Sequence, residues 1–186
     1  MIFLPRVSLK HAGIFVIDFP MMLDFYVKTF SFQISDMADT GGRRVAFLTN
    51  DPESHHTFVI SSGRAPGSAS TVQQLSFYAD TLDDVRCYWR LVKSDARVTR
   101  IYTTTHGNAW SVYFWDPEDN RIEVYTDTPW HIPQPAGLEI DLDLNDDEIY
   151  RQTEAYVFAN PKFEPFDDWR VKAAKNLGIE DYKPAK

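Results

Sequence analysis

Apolar and polar positions along the chain follow one pattern that occurs twice. Leu9–Ile17 is dense in β-branched and aromatic residues and predicts a strand. Asp18 follows as an N-cap, and Met22, Phe25, Tyr26 and Phe30 recur at helical spacing, which predicts a helix over Met21–Phe30. Three short strands come next, at Phe32–Met37, Arg44–Leu48 and His56–Ser61, separated by Gly41-Gly42 and by the turn residues Asn50-Asp51-Pro52. After a linker rich in Gly, Ser and Pro, Ser62–Ser70, the order returns: strand Val72–Ala79, helix Leu82–Lys93, strands Arg97–Tyr102 and Trp110–Trp115, a turn at Asp116–Asn120, and strand Arg121–Tyr125. His11 aligns with Gln74 (74 − 11 = 63) and Asp18 with Thr81 (81 − 18 = 63), so both helices start in register with their strands. A repeat of this kind predicts two modules that bury their apolar faces together.

Beyond Trp130 the pattern breaks. Pro129, Pro133 and Pro135 mark an irregular crossing, Leu138–Leu144 alternates apolar and acidic residues, Asn145 is placed to cap a helix over Asp146–Phe158, and Phe166–Asn176 reads as another. The aromatics Tyr156, Phe158, Phe163, Phe166 and Trp169 need a surface to cover, so this extension is expected to pack on the repeat or on a partner subunit. The expected fold class is α+β, with two βαβββ modules (about 8–62 and 72–126) in a domain spanning 1–130 and a C-terminal extension with short helices over 131–186.

Composition narrows the function classes. The 186 residues carry 19 Lys+Arg against 27 Asp+Glu, a net charge of −8, and are 15% aromatic, which argues against disorder. With no run of Lys or Arg, neither nucleic acid nor an anionic membrane is an expected partner. The longest apolar runs, Ala12–Ile17 and Val45–Leu48, fall far short of the roughly 20 residues of a membrane span, and the opening MIFLPRVSLK lacks a signal peptide's apolar stretch, so the expected location is cytoplasmic. The single cysteine, Cys87, excludes an internal disulfide, and its apolar neighbours in a helical pattern predict a buried thiol.

Candidate chemistry gathers at equivalent places of the repeat. His11 lies among apolar strand neighbours, Gln74 at its counterpart, and Glu123 between Ile122 and Val124 in the last strand. Buried groups of these kinds are paired, hydrogen-bonded or metal-bound. Two neutral ligands and one carboxylate with open positions are the arrangement of non-haem Fe(II) sites. Singly, His11 also fits a hydrogen-bonded core histidine, and Glu123 a carboxylate facing water.

The stretch LKHAGIFVIDFPMMLDFYVKTFSFQISD resembles the opening module of the vicinal oxygen chelate superfamily, which includes glyoxalase I, bleomycin-resistance proteins and extradiol ring-cleaving dioxygenases. The later stretch HGNAWSVYFWDPEDNRIEVYTDTPW is similar to the extradiol branch, whose mark is His-Gly, then Tyr just before Asp-Pro-x-x-(Asn/His)-Arg-Ile-Glu. The tail around Phe158-Ala-Asn-Pro161 resembles small single-domain proteins related to biphenyl-diol dioxygenases. The likeness spans about residues 8–130 and implies a curved mixed sheet around a central site.

Carried over by position, the resemblance implies His11 as first metal ligand and Glu123 as the carboxylate ligand, with Fe(II), or Mn(II) or another divalent metal, as cofactor. Tyr113 would hydrogen-bond a substrate oxygen, His106 would touch substrate or oxygen, and His56 would be the acid–base histidine. The substrates would be a small aromatic diol and O2, and a homodimer is compatible with the family. The departure is Gln74, where the extradiol pattern has histidine. Three readings follow: His11, Gln74 and Glu123 bind the metal; His56 replaces the missing imidazole and Gln74 supports the ligands from behind; or the metal is lost and the pocket binds a ligand only. Two other classes compete with the ring-cleaving dioxygenase, a glyoxalase-like metal-dependent lyase or isomerase and a non-catalytic binding protein of the bleomycin-resistance kind.

Overall fold

A computed structural model describes residues 7–184. The chain divides into two compact units, one holding residues up to Gln73 together with Trp115–Asn120, the other Gln74–Phe114 and Arg121 onward.

In the first unit, β1 (Ala12–Val16) leads to α1 (Phe19–Phe30), then β2 (Gln33–Thr40), β3 (Arg43–Thr49) and β4 (Phe58–Ser62). They form a four-stranded sheet ordered β1-β4-β3-β2, with β1 parallel to β4 and the other pairs antiparallel. Alternation puts Ile14, Val16, Ala46, Leu48, Phe58 and Ile60 into the core with Met22, Phe25, Tyr26 and Phe30 of α1. Asp18 caps α1 by accepting from Met21 N at 3.0 Å. The helix starts two residues earlier than its apolar spacing implies, because Pro20 fits the first turn, where no N–H partner is needed. The strand β2 runs longer than Phe32–Met37, carried past a bulge between Ile34 and Asp36.

The turn at Asp116–Asn120 belongs to this unit. Asp116 Oδ1 accepts from the backbone N–H of Glu118 and of Asn120, both at 2.9 Å, while Oδ2 accepts from Tyr26 OH at 2.8 Å and Asn120 Nδ2 at 2.7 Å. Glu118 in turn accepts from the N–H groups of Ile17 and Asp18 at the end of β1. The Asp-Pro-Glu-Asp-Asn sequence is thus a structural clasp.

The second unit repeats the order: β5 (Leu75–Tyr78), α2 (Leu82–Ser94), β6 (Ile101–Thr105), β7 (Ala109–Trp115), whose last residue counts with the first unit, and β8 (Arg121–Asp127). Its sheet runs β6-β7-β8-β5, with Leu138–Glu139 of the extension added at the β6 edge and β5 parallel to β8 as β1 is to β4. The offset seen in the sequence holds for the strands, Leu75 against Ala12 (75 − 12 = 63), and for the helices, Leu82 against Phe19 (82 − 19 = 63). Thr81 and Asp84 form a capping box at the start of α2. Cys87, expected to be buried, is exposed. The apolar stripe of α2 runs through Leu82, Val85, Trp89 and Val92, and Cys87 lies off it. The buried neighbour is Arg86, which donates to the carbonyls of Leu142 and Leu144 and pairs with Asp83 and Asp146.

The extension consists of β9 (Trp130–His131), β10 (Leu138–Glu139), α3 (Asp146–Phe158), β11 (Glu164–Pro165) and α4 (Phe166–Asn176). It packs within the second unit: β10 pairs with β6, and buried Trp110 donates Nε1–H to Thr153 of α3 at 2.8 Å. Only Leu138–Glu139 of the alternating stretch forms a strand. Gly107 sits at φ +83°, and a Cβ there would lie 2.6 Å from Ile132 and 3.0 Å from Val157, so only glycine lets the β6–β7 turn meet the extension. Among the described residues no helix is long and apolar enough to cross a membrane.

Candidate functional site

Strand alternation sorts the second unit's sheet into an apolar face, with Val112, Phe114, Ile122 and Val124 all fully buried, and a polar face. The polar face carries Gln74 and Ser76, Ser111 and Tyr113, and Arg121 and Glu123, each pair two residues apart. Glu123 is its centre. Its Oε2 accepts from Ser76 Oγ at 2.7 Å and Gln74 Nε2 at 3.0 Å, and its Oε1 accepts from Tyr113 OH at 2.5 Å and Ser111 Oγ at 2.9 Å. Four donors fill the four acceptor positions of a carboxylate and explain how a buried acid is tolerated.

His106, from the turn after β6, extends this network. Its Nδ1 lies 2.6 Å from Ala136 O and must donate to it, while its Nε2 lies 3.0 Å from Tyr113 OH. Tyr113 has one proton for two contacts, to His106 and to Glu123. Filling both takes one further proton, carried by the imidazole or the carboxyl. The trio is therefore a relay able to hold a proton at either end. Burial and the hydrogen bond to Glu123 push the Tyr113 hydroxyl well above the usual phenol range, so the phenol stays protonated. Tyr113 is also stacked on Tyr102, with ring centroids 4.7 Å apart and planes 7° from parallel. His106, Tyr113, Glu123, Gln74, Asn108 and Gln134 line an open cleft of about 300 Å³.

Gln74 turns its amide oxygen, the one atom it could offer a cation, to Arg121 NH2 at 2.7 Å, and its nitrogen to Glu123 and Ser76. Reversing the amide would set its oxygen against the carboxylate and its N–H groups against the guanidinium, so both charged neighbours fix this orientation. As placed, Gln74 supports Glu123.

In the first unit, His11 and His56 precede their strands rather than lying within them, and His11 is exposed rather than among core residues. Their rings are 4.4 Å apart. Strand alternation would turn His55 away from His56, yet the two Nδ1 atoms are 3.0 Å apart, and His55 Nε2 lies 2.8 Å from Asp36. With His55 carrying one proton, donated to Asp36, its Nδ1 accepts from His56 and leaves the His56 Nε2 lone pair open. Partial desolvation, then the neighbouring imidazoles of His11 and His55, push His56 below the usual histidine range and keep it neutral near pH 7.

These contacts decide which donors suit a divalent cation. Among the described residues of either unit, no three His, Cys, Asp or Glu side chains converge as a complete set. The imidazoles of His11 and His56 fit as ligands, because His11 makes no hydrogen bond among the described residues and His56 has an open nitrogen. Gln74 does not fit, its oxygen being held by a guanidinium. Glu123 would take a cation only by giving up one of its four donors.

Arg121, Ser76, Ser111 and Tyr102 were absent from the sequence-based set. The first three were legible by period two, lying two residues from Glu123, Gln74 and Tyr113. Tyr102 meets Tyr113 through the β6–β7 register, which sequence does not display.

The chain belongs to the glyoxalase/bleomycin resistance protein/dioxygenase superfamily, whose pattern matches residues 8–124. Solved structures with a similar fold include a fosfomycin resistance protein, FosX, from Listeria monocytogenes, complexed with Mn(II) and sulfate (15% identity, 67% of this chain and 95% of that one, TM-score 0.51). A glyoxylase/bleomycin resistance protein/dioxygenase domain from Frankia sp. EAN1pec matches at 16% identity over 67% of this chain and all of its own, with TM-score 0.53. FosX from Mesorhizobium loti matches at 19% identity over 68% and 94%, with TM-score 0.50. At these identities the likeness is one of fold.

Proposed function

We propose that this chain is a divalent-metal enzyme of the redox-neutral kind, a lyase or isomerase that moves a proton on a small substrate carrying two adjacent oxygens. The carrying observation is the state of Gln74 and Glu123. Where ring-cleaving chemistry calls for a second imidazole, an amide stands with its oxygen bound to Arg121, and the carboxylate beside it ends a proton relay. Within the first unit, His11 and His56 are the residues that would hold a cation, which would supply Lewis acidity to an oxygen bound to it.

The chain's own groups do the rest. Tyr113 donates to a substrate oxygen and is recharged by His106. Glu123, held by Ser76, Ser111 and Gln74 and relieved at Oε1 of the Tyr113 hydroxyl when that group turns to the substrate, is the base that takes the proton leaving the substrate carbon. Asn108 and Gln134, joined by a 3.2 Å hydrogen bond, flank the cleft opening.

One observation favours a second reading, a ring-cleaving dioxygenase acting on a catechol with O2 and Fe(II). His106 and Tyr113 are bonded to each other, and the extradiol resemblance assigns them adjacent duties. In that reading Glu123 gives up a hydroxyl donor and becomes the carboxylate ligand.

The two separate on oxygen. Protein loaded anaerobically with Fe(II) or Mn(II) is assayed in an oxygen electrode against catechols, and against 2-hydroxy ketones under argon and in air. The proposal expects metal-dependent turnover of a hydroxy ketone at equal rates under argon and air. Catechol-dependent oxygen uptake would replace it with the second reading.

A further inference from the structure

Arg121 has duties beyond the hydrogen bond that orients Gln74. Its guanidinium donates to Gln74 Oε1 at 2.7 Å and to the hydroxyl of Tyr102, and lies 5.4 Å from the centre of the Tyr113 ring. Each of these partners is neutral. No carboxylate among the described residues comes within ion-pair distance of it, and its buried Nε has no acceptor. The other buried and half-buried arginines differ: Arg64, whose Nε is also without an acceptor, pairs with Glu118, Arg86 with Asp83 and Asp146, Arg97 with Asp95, and Arg170 with Asp127 and Asp167.

A half-buried cation held only by neutral groups sacrifices solvation without recovering it as an ion pair. Such an arrangement is expected where the missing anion arrives with a ligand. Nothing local supplies one: Glu123, two residues along the same strand face, is separated from Arg121 by the Gln74 amide, which accepts from the cation and donates to the anion. The planar guanidinium is also pre-oriented, with Gln74 on one side and the Tyr102–Tyr113 stack on another, so little side-chain freedom is lost on binding.

We infer that Arg121 is a specificity-determining residue that recognises a substrate carboxylate, so the substrates are small 2-oxo or 2-hydroxy carboxylates. In these molecules the carboxylate and the neighbouring oxygen are vicinal. The carboxylate would be read by Arg121 and the neighbouring oxygen by Tyr113. This deepens the proposed function and rests on its reading of the second unit's polar face as the substrate site.

The test is direct binding, so it stands apart from the reaction class. Full-length protein, as purified and again after adding Mn(II), is titrated calorimetrically with pyruvate and with its uncharged isostere pyruvamide. Pyruvate is expected to bind about tenfold or more tighter, the worth of a hydrogen bond to a charged group. In Arg121→Gln the two should bind within about twofold of each other, and Arg121→Lys should fall between, keeping the charge but losing the fork. A third readout needs no variant: pyruvate should shift the Arg121 Nε–H resonance of the unaltered protein. Equal binding of the two ligands, undetectable binding of pyruvate, a preference that survives in Arg121→Gln, or an unmoved Arg121 resonance would each overturn the inference. Should pyruvate bind through Arg121 while the argon assay shows no turnover, the reaction class fails and the recognition stands.

Discussion

Gln74 and Glu123 hold one another across the β5–β8 pair, amide Nε2 to carboxylate Oε2 at 3.0 Å, with the amide oxygen 2.7 Å from Arg121. The position that aligns with His11 in the repeat has thus become a bridge between an acid and a base. Gln74→Leu keeps the size and removes all three of the amide's hydrogen bonds, to Ser76, Glu123 and Arg121, leaving Glu123 Oε2 with Ser76 alone and the guanidinium without its amide acceptor. The expected cost is about 1–3 kcal/mol, the penalty for unsatisfied buried polar groups. Denaturant unfolding reads it, and bound metal per chain should stay unchanged because His11 and His56 are intact. A loss of metal without a loss of stability would make Gln74 a ligand.

The C-terminal helix α4 docks through an imidazole. His131 is stacked on Phe166 and Trp169, with centroids 6.1 and 5.1 Å away, its Nδ1 buried without a hydrogen bond and 3.8 Å from Glu164. Burial pushes its pKa below the ordinary value; Glu164 works against this shift and Lys172 with it. The folded state therefore binds fewer protons than the unfolded one. Its contribution is fully present above about pH 6.5 and is lost as pH falls from there through the lowered folded value. Thermal melting should drop on acidification from pH 7 to pH 5, and His131→Phe, which keeps the stack, should flatten that slope. An unchanged slope in the variant would assign the acid sensitivity elsewhere.

Gly107 joins the turn that carries His106 to the extension. Gly107→Ala combines a left-handed backbone with a methyl 2.6 Å from Ile132 and 3.0 Å from Val157. A destabilisation of about 2–4 kcal/mol is expected from strain and overpacking together. Hydrogen exchange should show the loss centred on β9 and α3. A variant as stable as the parent would mean that the extension does not pack on this turn.

The fold was legible because its signals are local and repeated. The 63-residue offset between His11 and Gln74 carries through to the strand starts Ala12 and Leu75 and to the caps Asp18 and Thr81. Glu123 and Tyr113 were legible as polar residues on strands, because period two fixes the face. Three things were not. Cys87 looked buried because its neighbours are apolar, yet helical phase, set by Val85 and Trp89, turns it outward. Strand alternation predicts opposite faces for His55 and His56, but it does not apply before β4 begins at Phe58. Gln74 was weighed for its type, whereas its role depends on which charges flank its two amide ends, a matter of register between β5 and β8.

The central claim is proton transfer without oxygen, and solvent exchange tests it most directly. Metal-loaded protein is incubated in D2O under argon with lactaldehyde or hydroxypyruvate, and deuterium entering the carbon beside the carbonyl is followed by proton NMR. The account predicts catalysed exchange that needs metal and falls by roughly 10²–10⁴ in Tyr113→Phe, the range for loss of a general acid or base. No exchange with either substrate, together with oxygen consumption on a catechol, would contradict it.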